Sequence, residues 1–499
     1  MDATNALELE LERCKDHWLQ LARGGSALRE EAERYYRNEL FPKLQQLFAQ
    51  KNQYVVEEPC EGLILSLGKS WEPLALTLAA IEPQRVLIIC SPASRELLHT
   101  LKDFLSLKIK TIIHDEAVKE DEPIAVYQKI SQYYEAWGRP QRLVVDFTGG
   151  TKAMTSGCAM AGALLGAQLV YISSKYNDEL RRPLPGSERL VKIANPYLVF
   201  GDLEIAEGIS LMRHQNYAAA SQVFRRLKER IPDPRRTELL YWMTECYDAW
   251  DNMDAQRALE SMQTLLSRHR QYTAAGDSMP LGQYIERLHL QERNLQSLAR
   301  MLAGGGKLSP TDLKDPDRTK ALMLTLWHAA NRREKQGRLD MAALLLYRLL
   351  EICSQVRLAS YGIDTARPDY TSPDLPVDLA ASYCQVSLEV DAKRAEDQLP
   401  NPIALLNGYI LLKVLNDPLA AGINLQKVRG QALNRNESIF AHGFRSLKEK
   451  KYKEFLDLVK VVFQSFSNIS GFSVEGEQDG YEFICLPEHG MNREEERRH

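Results

Sequence analysis

No two cysteines of this chain stand close enough to form a C-x-x-C pair. The eight, at Cys14, Cys60, Cys90, Cys158, Cys246, Cys353, Cys384 and Cys485, are scattered, so neither a zinc site nor a disulfide framework is expected. An isolated Cys in an apolar run behaves as a small core residue, and a reducing cytoplasm is the expected compartment. Excess charge is lacking too. Lys and Arg number 63 against 67 Asp and Glu, a net charge of −4. That excludes a polycation built to coat nucleic acid and confines any nucleic-acid site to a local patch. Long apolar runs are scarce. The longest, Met154 to Ile172, is interrupted by Thr155, Ser156, Gln168 and glycines. It reads as a helix followed by a strand, not a membrane span. The opening MDATNALELELERCKDHW is charged and helical in pattern, unlike a secretory signal.

What remains is ample for several cores: 499 residues, 44% hydrophobic and 26% charged, with two to four domains as the prior. Residues 1–58 are charged and periodic and predict two or three helices. Five short apolar runs follow: LILSLG (63–68), RVLIIC (85–90), IKTIIH (109–114), RLVVDF (142–147) and QLVYIS (168–173). Helix-like segments separate them, the pattern of βαβ units and a buried parallel sheet. A Rossmann-like domain is therefore expected over 59–201. Strands then vanish. A helical connector is expected over 202–310, ending in the linker AGGGKLSP (303–310), then an all-helical block over 311–475 and a short tail, 476–499, whose charged end should fray.

Two segments carry chemistry. The first, VVDFTGGTKAMT (144–155), lies where the fourth strand turns into a helix. In an open parallel sheet ligands bind beyond the carboxyl ends of the strands. Gly149 and Gly150 allow close backbone approach, and the helix start turns free N–H groups and its positive end toward a guest. With Thr148, Thr151 and Lys152 added, a phosphate is the expected ligand. Ser66, Gly68 and Lys69 of SLGKS should line the same pocket, with Ser91 a further candidate. SLGKS is not a P-loop, because Leu63 stands where the first glycine is needed.

The second segment is LNRNESIFAHGF (433–444). Arg435 and His442 are seven apart and share a helix face, roughly 10 Å apart along the axis. Metal-free RNA cleavage, in which a 2′-hydroxyl attacks the adjacent phosphate, needs proton transfer and a cation. His442 suits the first and Arg435 the second, with Asn436 placed to orient either. One such pair is too wide to grip one phosphate, and a two-fold dimer would bring two together. Eight basic residues against two acidic ones between Lys427 and Lys453 make this the local patch that attracts a phosphate backbone. No spacing of ligands suggests a metal.

Together these elements resemble a known layout. The strand–TGGTK–helix element is similar to the CARF sensor domain, and the R-N-x5-H helix resembles the HEPN ribonucleases. DFTGGTKAMT with LYRLLEICSQVRLASYGIDT is similar to the CARF–HEPN ancillary ribonucleases of type III CRISPR systems, the group called Cas02710. The resemblance implies an α/β plus all-α chain that forms a homodimer. It implies a cyclic oligoadenylate as allosteric activator, held by Thr148, Gly149, Gly150, Thr151 and Lys152. It further implies cutting of single-stranded RNA by Arg435, Asn436 and His442, with neither DNA nor membrane as a partner. Two-fold symmetry fits a ring of four or six adenylates, of which the cyclic tetra-adenylate is preferred. Some members have four residues between the Arg and the His where this chain has six. Two other readings stay open: a non-catalytic sensor or regulator, and a CARF domain that itself opens the ring.

Overall fold

Side chains along a strand alternate between the two faces of a sheet, and the first two strands bury both. In β1 (Gly62–Leu67) Leu63, Leu65 and Leu67 face one side and Ile64 the other. In β2 (Arg85–Cys90) Val86 and Ile88 oppose Leu87 and Ile89 in the same way. A strand covered on both faces belongs inside a layered α/β domain. The computed structural model describes residues 3–24, 28–56, 59–104, 111–276, 281–304, 309–390, 398–437, 444 and 446–487, the side chains of Ala3, Asp103 and 432–437 excepted. The chain divides into two units, Met1–Gly201 and Asp202–His499.

In the first unit β3 (Ile112–Ala117), β4 (Leu143–Asp146), β5 (Gln168–Ser173) and β8 (Arg189–Ile193) complete a six-stranded sheet of order β3-β2-β1-β4-β5-β8. All pairings are parallel except β5 with β8. The antiparallel edge strand β8 was not expected; its RLVKI has one buried residue, Leu190, too faint a pattern to read. The third strand also runs later than expected, through His114, Asp115 and Glu116, because an edge strand tolerates polar residues. A small ribbon, β6 (Tyr176–Asn177) with β7 (Arg182–Pro183), precedes β8.

Three helices open the chain: α1 (Ala3–Arg23), α2 (Arg29–Tyr35) and α3 (Phe41–Asn52), the last two joined by a wider π-helical turn, Tyr36–Leu40. Leu11, Trp18, Tyr36, Phe41 and Phe48 pack in one core with Leu63, Leu65, Val86 and Ile88. They share it with α4 (Glu72–Ala80) and α5 (Leu97–Asp103). These first helices are thus one wall of the sheet domain, and not a separate segment. Arg182 fixes them to the ribbon, its guanidinium lying over the rings of Tyr36 and Trp18 and pairing with Glu33 and Glu72. The opposite face is covered by α6 (Pro123–Ala136) and α7 (Lys152–Leu164), through Val126, Ile130, Met154, Cys158 and Ala161. A short helix, α8 (Pro196–Phe200), ends the unit.

Among the described residues of the second unit the regular elements are helices: α9 (Asp202–Arg213), α10 (Tyr217–Arg230), α11 (Arg235–Asp251), α12 (Ala255–Ala274) and α13 (Ile285–Leu302), then α14 (Pro310–Leu313), α15 (Pro316–Lys335), α16 (Leu339–Ser360), α17 (Leu379–Val390), α18 (Leu405–Val414), α19 (Leu425–Glu437) and α20 (Glu449–Ser470). One apolar core runs from Ile205 to Leu486. The helices before and after the glycine-rich linker share it. Asp251 at the end of α11 accepts from Arg332 Nε at 2.8 Å and Arg333 Nη2 at 2.6 Å on α15.

The tail corrects the sequence reading. Tyr481, Phe483, Ile484 and Leu486 are buried. The Phe483 ring stacks on Tyr247 at 4.2 Å, and Ile484 N–H donates to the Tyr247 hydroxyl at 3.1 Å. Arg287 and Gln291 of α13 donate to the carbonyl of Glu482. The apolar YEFICL overrides the charge that follows it. The charged end itself, NREEERRH, lies outside the described residues.

Candidate functional site

The strand order reverses at β1 and β4, where neighbouring connections leave in opposite directions and open a crevice at the carboxyl edge. Two loops meet there backbone to backbone. A Cβ on Gly68 would lie 2.6 Å from Gly150 N, and one on Gly149 would lie 2.3 Å from the Ser66 carbonyl oxygen. Gly150 has φ +98°, a region that penalises any side chain. Only glycine fits these positions, so the loop can follow the shape of a guest.

Several polar groups expected to face a ligand hold the loop together instead. Ser66 is buried, and its hydroxyl donates to the Gly149 carbonyl at 2.5 Å. Thr148 donates from N–H and Oγ1 to Asp146 Oδ1, at 2.8 and 2.5 Å, and accepts from Ile172 N–H at 2.8 Å. Thr151 caps α7 by accepting from Met154 N–H at 3.2 Å while donating to the Glu120 carbonyl at 2.5 Å. Ser91 is buried and exchanges hydrogen bonds with Ser94, whose hydroxyl also donates to the Leu67 carbonyl at 3.1 Å. Lys69 and Lys152 are exposed, with no ion-pair partner among the described residues. The first amides of α7 are left over by the helix itself. The crevice therefore offers two free cations and a helix N-terminus to an anion.

Sequence reasoning missed Asp146. It is fully buried at the end of β4 and accepts from Thr77 Oγ1 at 2.5 Å as well as from Thr148. Burial raises its carboxyl above the ordinary range, against the pull of the Thr148 and Thr77 hydrogen bonds. A charge-bearing residue closing an apolar strand, in VVDFTGG, is the signal that could have found it. Ser94 left no comparable trace.

In the second site, Arg435 and Asn436 lie in the last turn of α19. Their side chains and the whole of His442 are outside the described residues, so the structure does not measure the proposed pair. The turn that precedes α19 is defined. Arg357 on α16 grips the buried Asp417 with Nε and Nη2, at 3.0 and 2.7 Å to Oδ2, and the Tyr361 hydroxyl donates to the same carboxylate at 3.1 Å. Asp417 also accepts from Leu419 N–H at 2.9 Å, which fixes the turn between α18 and α19. Lys453 pairs with Glu449 on the exposed start of α20.

Two family models match the helical unit. Residues 200–293 match the Csm6 6H domain, and residues 314–465, which contain Arg435 and His442, match the Csm6 HEPN domain. The CRISPR system endoribonuclease Csm6 of Thermus thermophilus is 27% identical over 420 residues, covering 82% of this chain and 86% of the relative. Among solved structures, Enterococcus italicus Csm6 bound to cyclic hexa-2′-fluoro-hexa-dAMP aligns with TM-score 0.47 and 13% identity, over 84% of this chain and 96% of that one. Can2 from Sulfobacillus thermosulfidooxidans, in complex with cyclic tetra-adenylate, aligns with TM-score 0.21 and 12% identity, over 58% and 70%. A Rossmann-like sheet domain followed by a region that matches a HEPN model is the layout of the CARF–HEPN ancillary proteins of type III CRISPR systems. Within the helical unit the likeness is to Csm6 proteins, through their 6H and HEPN domains. No helix among the described residues is long and apolar enough to cross a membrane.

Proposed function

We propose that this chain is an endoribonuclease of single-stranded RNA, switched on by a cyclic oligoadenylate and acting in type III CRISPR defence. The observation that carries the proposal is the HEPN match over the segment that holds Arg435, Asn436 and His442. The 27% identical relative, named as an endoribonuclease, supports the same reading. Arg435 binds the phosphate oxygens and stabilises charge on them, His442 moves the proton, and Asn436 orients the pair. The chemistry needs no metal: the 2′-hydroxyl attacks the phosphorus, the 5′-oxygen leaves, and a 2′,3′-cyclic phosphate remains. A homodimer brings two Arg–His pairs to one strand.

The sensor half of the proposal rests on the crevice at the β1/β4 edge. Lys69 and Lys152 with the amides at the start of α7 bind the ring phosphates. Gly68, Gly149 and Gly150 let the ring approach, and Ser66, Ser91, Thr148 and Thr151 hold the loops in shape. Two crevices related by dimer symmetry would contact a four-membered ring equally.

Arg435→Ala and His442→Ala test the nuclease assignment. Each should lower cleavage at least 10² to 10⁴-fold while the dimer and its ring affinity persist. Wild-type cleavage should continue in excess EDTA and leave cyclic phosphate ends. Full activity in the double variant would remove these residues from the site.

A further inference from the structure

The loop between β3 and α6 reaches the sensor crevice. Val118 N–H donates to the Cys90 carbonyl at 2.8 Å, so the chain leaves the sheet at its carboxyl edge. Two residues later the Glu120 carbonyl accepts from Thr151 Oγ1 at 2.5 Å. Behind that bond α6 and α7 pack so closely that a Cβ on Gly157 would lie 2.8 Å from the Pro123 carbonyl oxygen. Glu120 is therefore seated against the residue that precedes Lys152. Its neighbours Lys119 and Glu122 pair with each other at 2.8 Å. The Glu120 side chain is exposed and has no ion-pair partner among the described residues.

A free carboxylate is at odds with a crevice that takes anions. Beside phosphates it weakens binding by like-charge repulsion, unless it accepts from a donor on the same ligand. An adenylate ring has two kinds of donor, the ribose hydroxyls and the exocyclic amines of its bases. The hydroxyls lie next to the phosphates, where a carboxylate is repelled. The amines lie a whole base away. Guanine presents the O6 acceptor where adenine presents its N6 amine, so the same carboxylate disfavours a guanylate. We propose that Glu120 sets the base specificity of the sensor, its carboxylate accepting from the N6 amine of an adenine while Lys152 holds a phosphate. This rests on the sensor reading above and adds to it the group that reads the base.

Calorimetric titration of the full chain with cyclic tetra- and hexa-adenylate tests this, beside the same rings built from purine riboside, which lacks the amine. In wild type the missing amines should weaken binding at least tenfold, the value of a charge-assisted hydrogen bond. Glu120→Ala should lose the same factor for the adenylate ring and bind both kinds of ring alike. Glu120→Gln keeps an acceptor and removes the charge. It should fall between wild type and Glu120→Ala for the adenylate ring, and bind the matching guanylate ring more tightly than wild type does. Melting temperatures should not change, because the side chain is exposed. A wild type that binds adenylate and purine-riboside rings equally overturns the proposal and leaves the sensor reading intact. Tighter adenylate binding by Glu120→Ala also overturns it, since the carboxylate then only repels phosphate. Equal losses for both kinds of ring in Glu120→Ala would assign the carboxylate to a ribose hydroxyl instead. A wild type that binds no ring overturns the sensor reading and this proposal together.

Discussion

The Ser66 hydroxyl donates to the Gly149 carbonyl at 2.5 Å, which ties the end of β1 to the glycine pair after β4. The two loops act as one surface because of this bond and because Gly68 lies directly against Gly150. A methyl at residue 68 meets backbone, which cannot step aside. Gly68→Ala should cost about 1–3 kcal/mol, the usual range for overpacking, and should weaken ring binding with the nuclease residues untouched. Thermal unfolding and ring titration on the same protein check this. Unchanged values for both would show that the loops are not in register.

Lys152 is exposed at the start of α7, with no ion-pair partner among the described residues. Lys152→Ala should lower activator affinity about 10 to 150-fold, the value of roughly 1.5–3 kcal/mol for a charged contact. Cleavage should return at high ring concentration. A midpoint equal to that of wild type would place the ring elsewhere.

These two positions also mark how far the sequence could be read. The turn at Gly149 and Gly150 and the helix start at Lys152 were legible because strand, glycine turn and helix follow one another locally. The roles of Ser66, Ser91 and Thr148 were not, because Gly149, Ser94 and Asp146 claim their hydrogen bonds. Only the folded loops decide which hydroxyls face inward. The sheet core was legible in the apolar runs, whereas β8 has a single buried residue and left almost no pattern. The tail was misjudged because its charged end drew attention from the apolar YEFICL, which docks on Tyr247.

Asp417 organises the approach to the Arg435 helix. Asp417→Ala leaves the Arg357 guanidinium and the Tyr361 hydroxyl without their acceptor. Breaking a buried pair in this way costs roughly 3–5 kcal/mol. The urea midpoint should fall accordingly. A loss under about 1 kcal/mol would mean that the pair is already well solvated.

His328 gives the helical unit a pH dependence. In the unfolded chain its imidazole protonates near 6.5; in the fold it resists until about 4. The unfolded state therefore binds more protons between those values. The stability that His328 contributes is full above pH 6.5 and is lost as pH falls toward 4, by about 3 kcal/mol in all. Arg332, Lys335 and Arg287 also press the imidazole toward neutrality, and Glu482 opposes them. Urea midpoints across this range should fall less steeply in His328→Gln than in wild type. Identical slopes would assign the pH dependence to other groups.

The central claim is that ring binding at one end of the chain governs RNA cleavage at the other. Its most direct test is the cleavage rate of a fluorescent single-stranded RNA, in EDTA, as cyclic tri-, tetra- and hexa-adenylate are each titrated against wild type and Lys152→Ala. A ligand can switch an equilibrium only if it binds the active arrangement better than the resting one. The account predicts saturable activation by an even-membered ring, the tetra-adenylate first, and a midpoint shifted about 10 to 150-fold in Lys152→Ala. Cleavage at one constant rate, with or without any ring, would contradict it.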